Sequence, residues 1–117
     1  MLNIEKLKAF GANVEDGLQR CMNMEDFYIR LVNMALNDKG VDNLKEAVEN
    51  GDRKAAFEAA HALKGMLGNL ALGPLSDPAA ALTELLREDG EGISPECAEY
   101  VRQIVDARDR LVALRDT

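Results

Sequence analysis

The sequence predicts an all-α fold: an antiparallel up-and-down four-helix bundle with additional short N-terminal helices. Three observations predict it. Hydrophobic residues make up 47% of the 117 residues but aromatics only 4%, with no tryptophan; that mix favours helices packed closely on helices over a β-sandwich. Apolar residues recur at three- and four-residue spacing in one segment after another. The breaks between segments are short, which sets neighbouring helices antiparallel. No convincing strand, internal repeat, low-complexity tract or interdomain linker interrupts the pattern. The length suits one domain over residues 1–117 with a single core.

The elements follow in order. Asn3 to Phe10 places Ile4, Leu7 and Phe10 on a short amphipathic helix closed by Gly11. Asn13 can cap a second short helix that turns Val14, Leu18 and Cys21 inward. Asn23, with Asp26 three residues later, is read as the start of a longer helix whose apolar set is Phe27, Leu31, Met34 and Ala35. That helix stops near Asn37-Asp38-Lys39-Gly40. Asp42 is expected to cap the next, which buries Leu44, Ala47 and Val48. Asn50-Gly51-Asp52 joins a stop to a fresh N-cap, and a helix from Arg53 to about Leu72 is expected to end at Gly73-Pro74. Asp77-Pro78 then reads as an N-cap with proline at the first helical position, opening a helix that buries Ala79, Leu82 and Leu86. Ser94-Pro95 repeats the signal before a last helix with a seam of Tyr100, Ile104, Ala107, Leu111 and Leu114.

Charge and cysteines narrow the function. A net charge of −7 argues against nucleic acid and against an anionic membrane surface, both of which are bound by clustered Lys and Arg. Cys21 and Cys97 lie far apart and belong to no metal-ligand or redox motif, so a reducing compartment is expected. The first ten residues carry charges at Glu5, Lys6 and Lys8 rather than a signal-peptide block, and no run approaches a membrane span. A cytoplasmic protein is the expectation. The start at Met1 and the end just past the last helix pattern favour a free-standing one.

The segment Ala59 to Leu72, AAHALKGMLGNLAL, holds the only histidine, His61, followed by Lys64, Gly65 and Gly68. At about 100° per residue, Ala56, Ala59, Ala60, Leu63, Met66, Leu67 and Leu70 cluster into one apolar arc, and His61 falls roughly 160° from its middle. A core histidine would not stand there. Gly65 and Gly68 share the histidine's side, although each costs a helix interior about 1 kcal/mol relative to alanine. Their use is close approach, a bare patch against which another protein's backbone can press. An exposed imidazole suits the carriage of a labile group at neutral pH, and Lys64 one turn on can pair with phosphoryl oxygens as a point charge. No phosphate loop, metal cluster or nucleophile elbow accompanies them. A histidine without catalytic machinery implies chemistry completed by a partner.

At these residues the chain resembles the histidine-containing phosphotransfer (HPt) domain family of two-component phosphorelays. The family pattern of His, any residue, Leu, Lys, Gly is matched by His61, Leu63, Lys64 and Gly65, and the small residue, Asn and hydrophobic residue that follow by Gly68, Asn69 and Leu70. The stretch from Asn13 to Asp38 looks like the family's opening helices, so the resemblance runs from about Ala12 to the C-terminus. Two departures stand out: Ala71 where the family often has glycine, and Leu67 where it has a small residue. Both read as packing variation.

The resemblance implies a phosphocarrier rather than an enzyme. His61 Nε2 would accept a phosphoryl group from a receiver-domain aspartate and pass it to another receiver. Lys64 would steady the phosphoryl oxygens. Gly65 and Gly68 would admit the receiver, and Phe57 and Leu72 would supply the apolar part of the docking surface. Thr83 and Arg87, on the following helix, could reach His61 or its phosphate. The chain would bind no metal or cofactor of its own, Mg²⁺ being expected on the partner receiver domain. The implied partners are response-regulator receiver domains and, beyond them, a hybrid histidine kinase. A monomer is the default expectation for a complete bundle. Two alternatives stay open: a docking domain that binds receivers without transfer, and the phosphoacceptor domain of a chemotaxis-type histidine kinase separated from its catalytic parts. The intact nucleophile counts against the first.

Overall fold

Short stops between amphipathic segments fold the chain back on itself repeatedly. The computed structural model describes residues 1–88 and 90–117. Among them stand seven helices and no strand: α1 (Ile4–Phe10), α2 (Val14–Arg20), α3 (Glu25–Asn37), α4 (Gly40–Glu49), α5 (Arg53–Asn69), α6 (Gly73–Arg87) and α7 (Pro95–Arg115). Helices α4 to α7 make the bundle. α5 packs along α4 and α6, α6 along α7, and α7 returns to α4 to close the ring. α1 lies against α7, and α2 joins α1 to α3. No helix among the described residues is long and apolar enough to cross a membrane.

Several ends are set by side chains, at Asn13 and Asp52 as the sequence indicates and at Asn3 in addition. Asn3, Asn13 and Asp52 each accept a hydrogen bond from the backbone N–H three residues on, at 2.8, 3.2 and 3.1 Å. Such a cap satisfies a donor that the helix leaves orphaned and contributes about 1 kcal/mol. Gly11 closes α1 at φ +108°, returning its N–H to the Leu7 and Lys8 carbonyls. At the other end of the bundle Arg53 donates to the carbonyls of Leu85, Glu88 and Gly92 at 3.2, 2.7 and 2.9 Å. One guanidinium thus satisfies the orphan acceptors where α6 stops and ties the start of α5 to the α6–α7 connection.

Five expectations about element boundaries and faces need correction. Asn23 does not cap α3. Met22 and Asn23 both take left-handed φ, +55° and +57°, and the helix begins at Glu25 without a side-chain cap. The buried face of α3 is Tyr28, Val32 and Ala35, while Met34 is 61% exposed and Phe27 and Leu31 are half-buried. Tyr28 lies on that face: its fully buried phenol donates to the Leu70 carbonyl at 2.8 Å, which ties α3 to the end of α5.

Asp42 does not cap α4 either. Asp38 accepts from the Gly40 N–H at 2.8 Å instead, and Asp42, already in the first turn, pairs with Arg108 of α7 at 2.7 Å. Lastly, α5 ends at Asn69, and Gly73-Pro74 begins α6 rather than ending α5. Proline near a helix start loses no hydrogen bond, since that N–H has no partner there. Pro78 consequently lies inside α6, buried, and Asp77 is not a cap.

The core is continuous through the bundle. Leu44, Leu63, Leu75, Leu82, Ile104 and Leu111 are essentially free of solvent. In α7 the seam runs through Cys97, Val101, Ile104, Ala107 and Leu111, with Tyr100 and Leu114 at its margin. Both cysteines are buried and unbridged.

Candidate functional site

Helix α5 has two faces of opposite character. Ala56, Ala60, Leu63 and Leu67 are buried, with Leu70 just beyond the helix end. His61 is exposed on the other side, as its helical projection requires. Lys64 is half-buried one turn on, Gly65 is exposed and Gly68 partly so.

The two glycines are not demanded by the packing of this chain. A β-carbon built at Gly65 or at Gly68 meets nothing within 4 Å. The contrast is Gly17 of α2, where a β-carbon would stand 2.5 Å from the Tyr28 ring. Gly17 is internal packing; Gly65 and Gly68 leave open space beside His61 at a helix cost of about 1 kcal/mol each.

The neighbours of His61 are aromatic. Phe57, one turn earlier and half-buried against the core, stacks on the imidazole with ring centroids 5.9 Å apart and planes 11° from parallel. The Arg87 guanidinium of α6 lies 5.8 Å from the centre of the Phe57 ring and also pairs with Glu84 at 3.2 Å. Phe57 and Arg87 therefore belong to the same patch as His61. Asn69, exposed at the end of α5, accepts from Arg20 at 3.4 Å.

Two candidate residues leave the site. Leu72 is fully buried, because the chain turns inward between α5 and α6 and spends that side chain on the core; it is not available for docking. Thr83 is equally buried, and its hydroxyl donates to the Ala79 carbonyl at 2.7 Å, so it does not face the imidazole. Its spacing of four from Ala79 already set it on the inner stripe.

Sequence reasoning missed two features. One is the stack, which i, i+4 spacing permits and side-chain orientation alone completes. The other is an apolar groove between α3 and α5 lined by Leu31, Met34, Ala35, Met66 and Leu70. Helical spacing alone puts Met34 in the core, whereas it is exposed along this groove. No group of three or more His, Cys, Asp or Glu side chains among the described residues is arranged to hold a metal ion.

A family model described as Hpt domain matches residues 33–113. The match opens in the second half of α3 and stops just short of the end of α7, so α1 and α2, part of which fell within the resemblance read from Ala12, lie outside it. No curated protein and no solved structure matches the chain.

Proposed function

The chain belongs to the Hpt-domain family, whose members carry phosphoryl groups on histidine in two-component signalling, and we propose that His61 is its phosphoacceptor. The observation that carries this reading is an exposed histidine, the chain's only one, beside two glycines that the chain itself does not need for packing.

The chemistry asks little of the carrier. Neutral imidazole with its proton on Nδ1 directs the Nε2 lone pair at the phosphorus of a receiver's phospho-aspartate. An N–P bond forms as the P–O bond to the aspartyl group breaks, and the electron pair leaves with the carboxylate. No proton need move, because the ring takes up the positive charge as the dianionic phosphoryl arrives. Transfer to a second receiver runs the same step backwards. Such a displacement is governed by in-line positioning and charge compensation. Lys64 supplies a cation one turn from the nucleophile, and Arg87 a second one across from Phe57. The receiver's own Mg²⁺ would serve the donor side. Gly65 and Gly68 let the receiver's backbone come close. Residues 1–117 act in this reading as one domain.

Incubation with phosphorylated receiver domains, following label transfer, tests the proposal. The expected result is an acid-labile, base-stable phosphoryl group on the chain that is absent from His61→Gln. Binding to receivers without any transfer would instead favour a docking domain.

A further inference from the structure

The contacts that orient the His61 imidazole are aromatic, not polar. Among the described residues no side chain hydrogen-bonds the ring, and Phe57 stacks on it. An exposed histidine on a helix samples more than one χ1 well and a broad χ2. Only part of that range aims Nε2 outward toward a donor phosphorus. A near-parallel offset stack at 5.9 Å lies within the favourable range for aromatic pairs and is strong enough to enrich one ring orientation about two- to tenfold.

Phe57 is itself restrained. Its ring packs against the core from a half-buried position, and the Arg87 guanidinium of α6 rests 5.8 Å from its centre. A cation over an aromatic face is held by the ring quadrupole. The sequence Arg87, Phe57, His61 therefore links a side chain on α6 to the nucleophile on α5 through two ring contacts.

We propose that Phe57 is a positioning residue for phosphoryl transfer, holding the His61 imidazole in its reactive orientation, with Arg87 keeping the Phe57 ring in place. The inference rests on the reading of His61 as phosphoacceptor. Phe57 acts through the imidazole, so its loss lowers the rate of the chemical step and leaves receiver affinity alone.

Two measurements test it. In the NMR spectrum of the unmodified protein, the His61 ring protons are expected away from their random-coil positions through the Phe57 ring current, and Phe57→Leu returns them. Random-coil shifts in the unmodified protein would overturn the stack without any variant. In transfer from a phosphorylated receiver, Phe57→Leu is expected to lower kcat about two- to tenfold with KM unchanged, and Phe57→Tyr, which keeps the ring, to restore it. Arg87→Met, an exposed change that does not threaten folding, is expected to return the His61 ring-proton shifts partway to random coil. An unchanged kcat in Phe57→Leu would overturn the proposal, and an effect confined to KM would overturn it by assigning Phe57 to docking. If the unmodified protein accepts no phosphoryl group, the reading of His61 fails, while the NMR arm still decides the stack.

Discussion

Ala71 occupies a backbone position that suits glycine. Its φ is +54°, in the left-handed region, immediately after Leu70, which caps the end of α5. The chain cannot relax there, because the Ala71 carbonyl accepts from the Asn13 N–H at 3.0 Å and its own N–H donates to Gly68 at 3.0 Å. A β-carbon in that region costs about 1–2 kcal/mol. The departure at Ala71 from the pattern of the resemblance is therefore a matter of backbone dihedral rather than of packing. Leu67, the other departure, is 3% exposed and belongs to the core. Ala71→Gly is expected to raise unfolding free energy by about 0.5–1 kcal/mol, since relief of strain exceeds the entropy that glycine adds to the unfolded chain. Urea denaturation measures it; a loss of stability would show that the alanine methyl group matters more than the dihedral.

At the scale of the element, α5 combines a fully apolar face with one that gives up helix propensity. Its 17 residues start at an Asp52 cap and bury four side chains, which offsets two interior glycines. Because a side chain at Gly68 would project into open space, Gly68→Gln is expected to fold normally and to transfer phosphoryl groups at least tenfold more slowly, by obstructing the receiver. Circular dichroism checks the first half and label-transfer kinetics the second. An unchanged transfer rate would remove the close-approach role. The neighbouring element shows the limit of such reasoning. In α3 the apolar positions are numerous enough that more than one face could be buried, and the face taken is the one that packs Tyr28, Val32 and Ala35 inward, with the Tyr28 hydroxyl bonded to the Leu70 carbonyl.

At the scale of the molecule, Tyr28 joins the N-terminal helices to the bundle. Its ring covers Gly17 of α2, and its hydroxyl reaches the Leu70 carbonyl, 42 residues away in sequence. Burial, reinforced by the nearby Cys21 and Asp16, pushes the phenol up to about 12 from its usual 10. The sign of the linkage follows: the folded state holds a proton that the unfolded chain releases near pH 10, so this stabilisation is complete below pH 10 and is lost as pH rises through 12. Thermal unfolding of the unmodified protein is expected to fall steeply between those values. Tyr28→Phe should lack that component while starting about 1–2 kcal/mol less stable at neutral pH, with the Leu70 carbonyl left unpaired. Equal slopes above pH 10 would show that Tyr28 is not the group responsible.

Periodicity and capping chemistry determined, from the sequence alone, that the chain is a helical bundle and that His61 faces away from the core beside Gly65 and Gly68. Those are local properties, set by 3.6 residues per turn within one helix. Where one α6 signal, Gly73-Pro74, could equally end a helix or begin one, neighbouring residues did not resolve it; the inward turn that buries Leu72 did. The burial of Thr83, the rotation of α3 and the stacking of Phe57 on His61 depend on what other elements press against, or on which way a side chain leans. Such choices are made by packing among helices distant in sequence, and only the tertiary structure decided them.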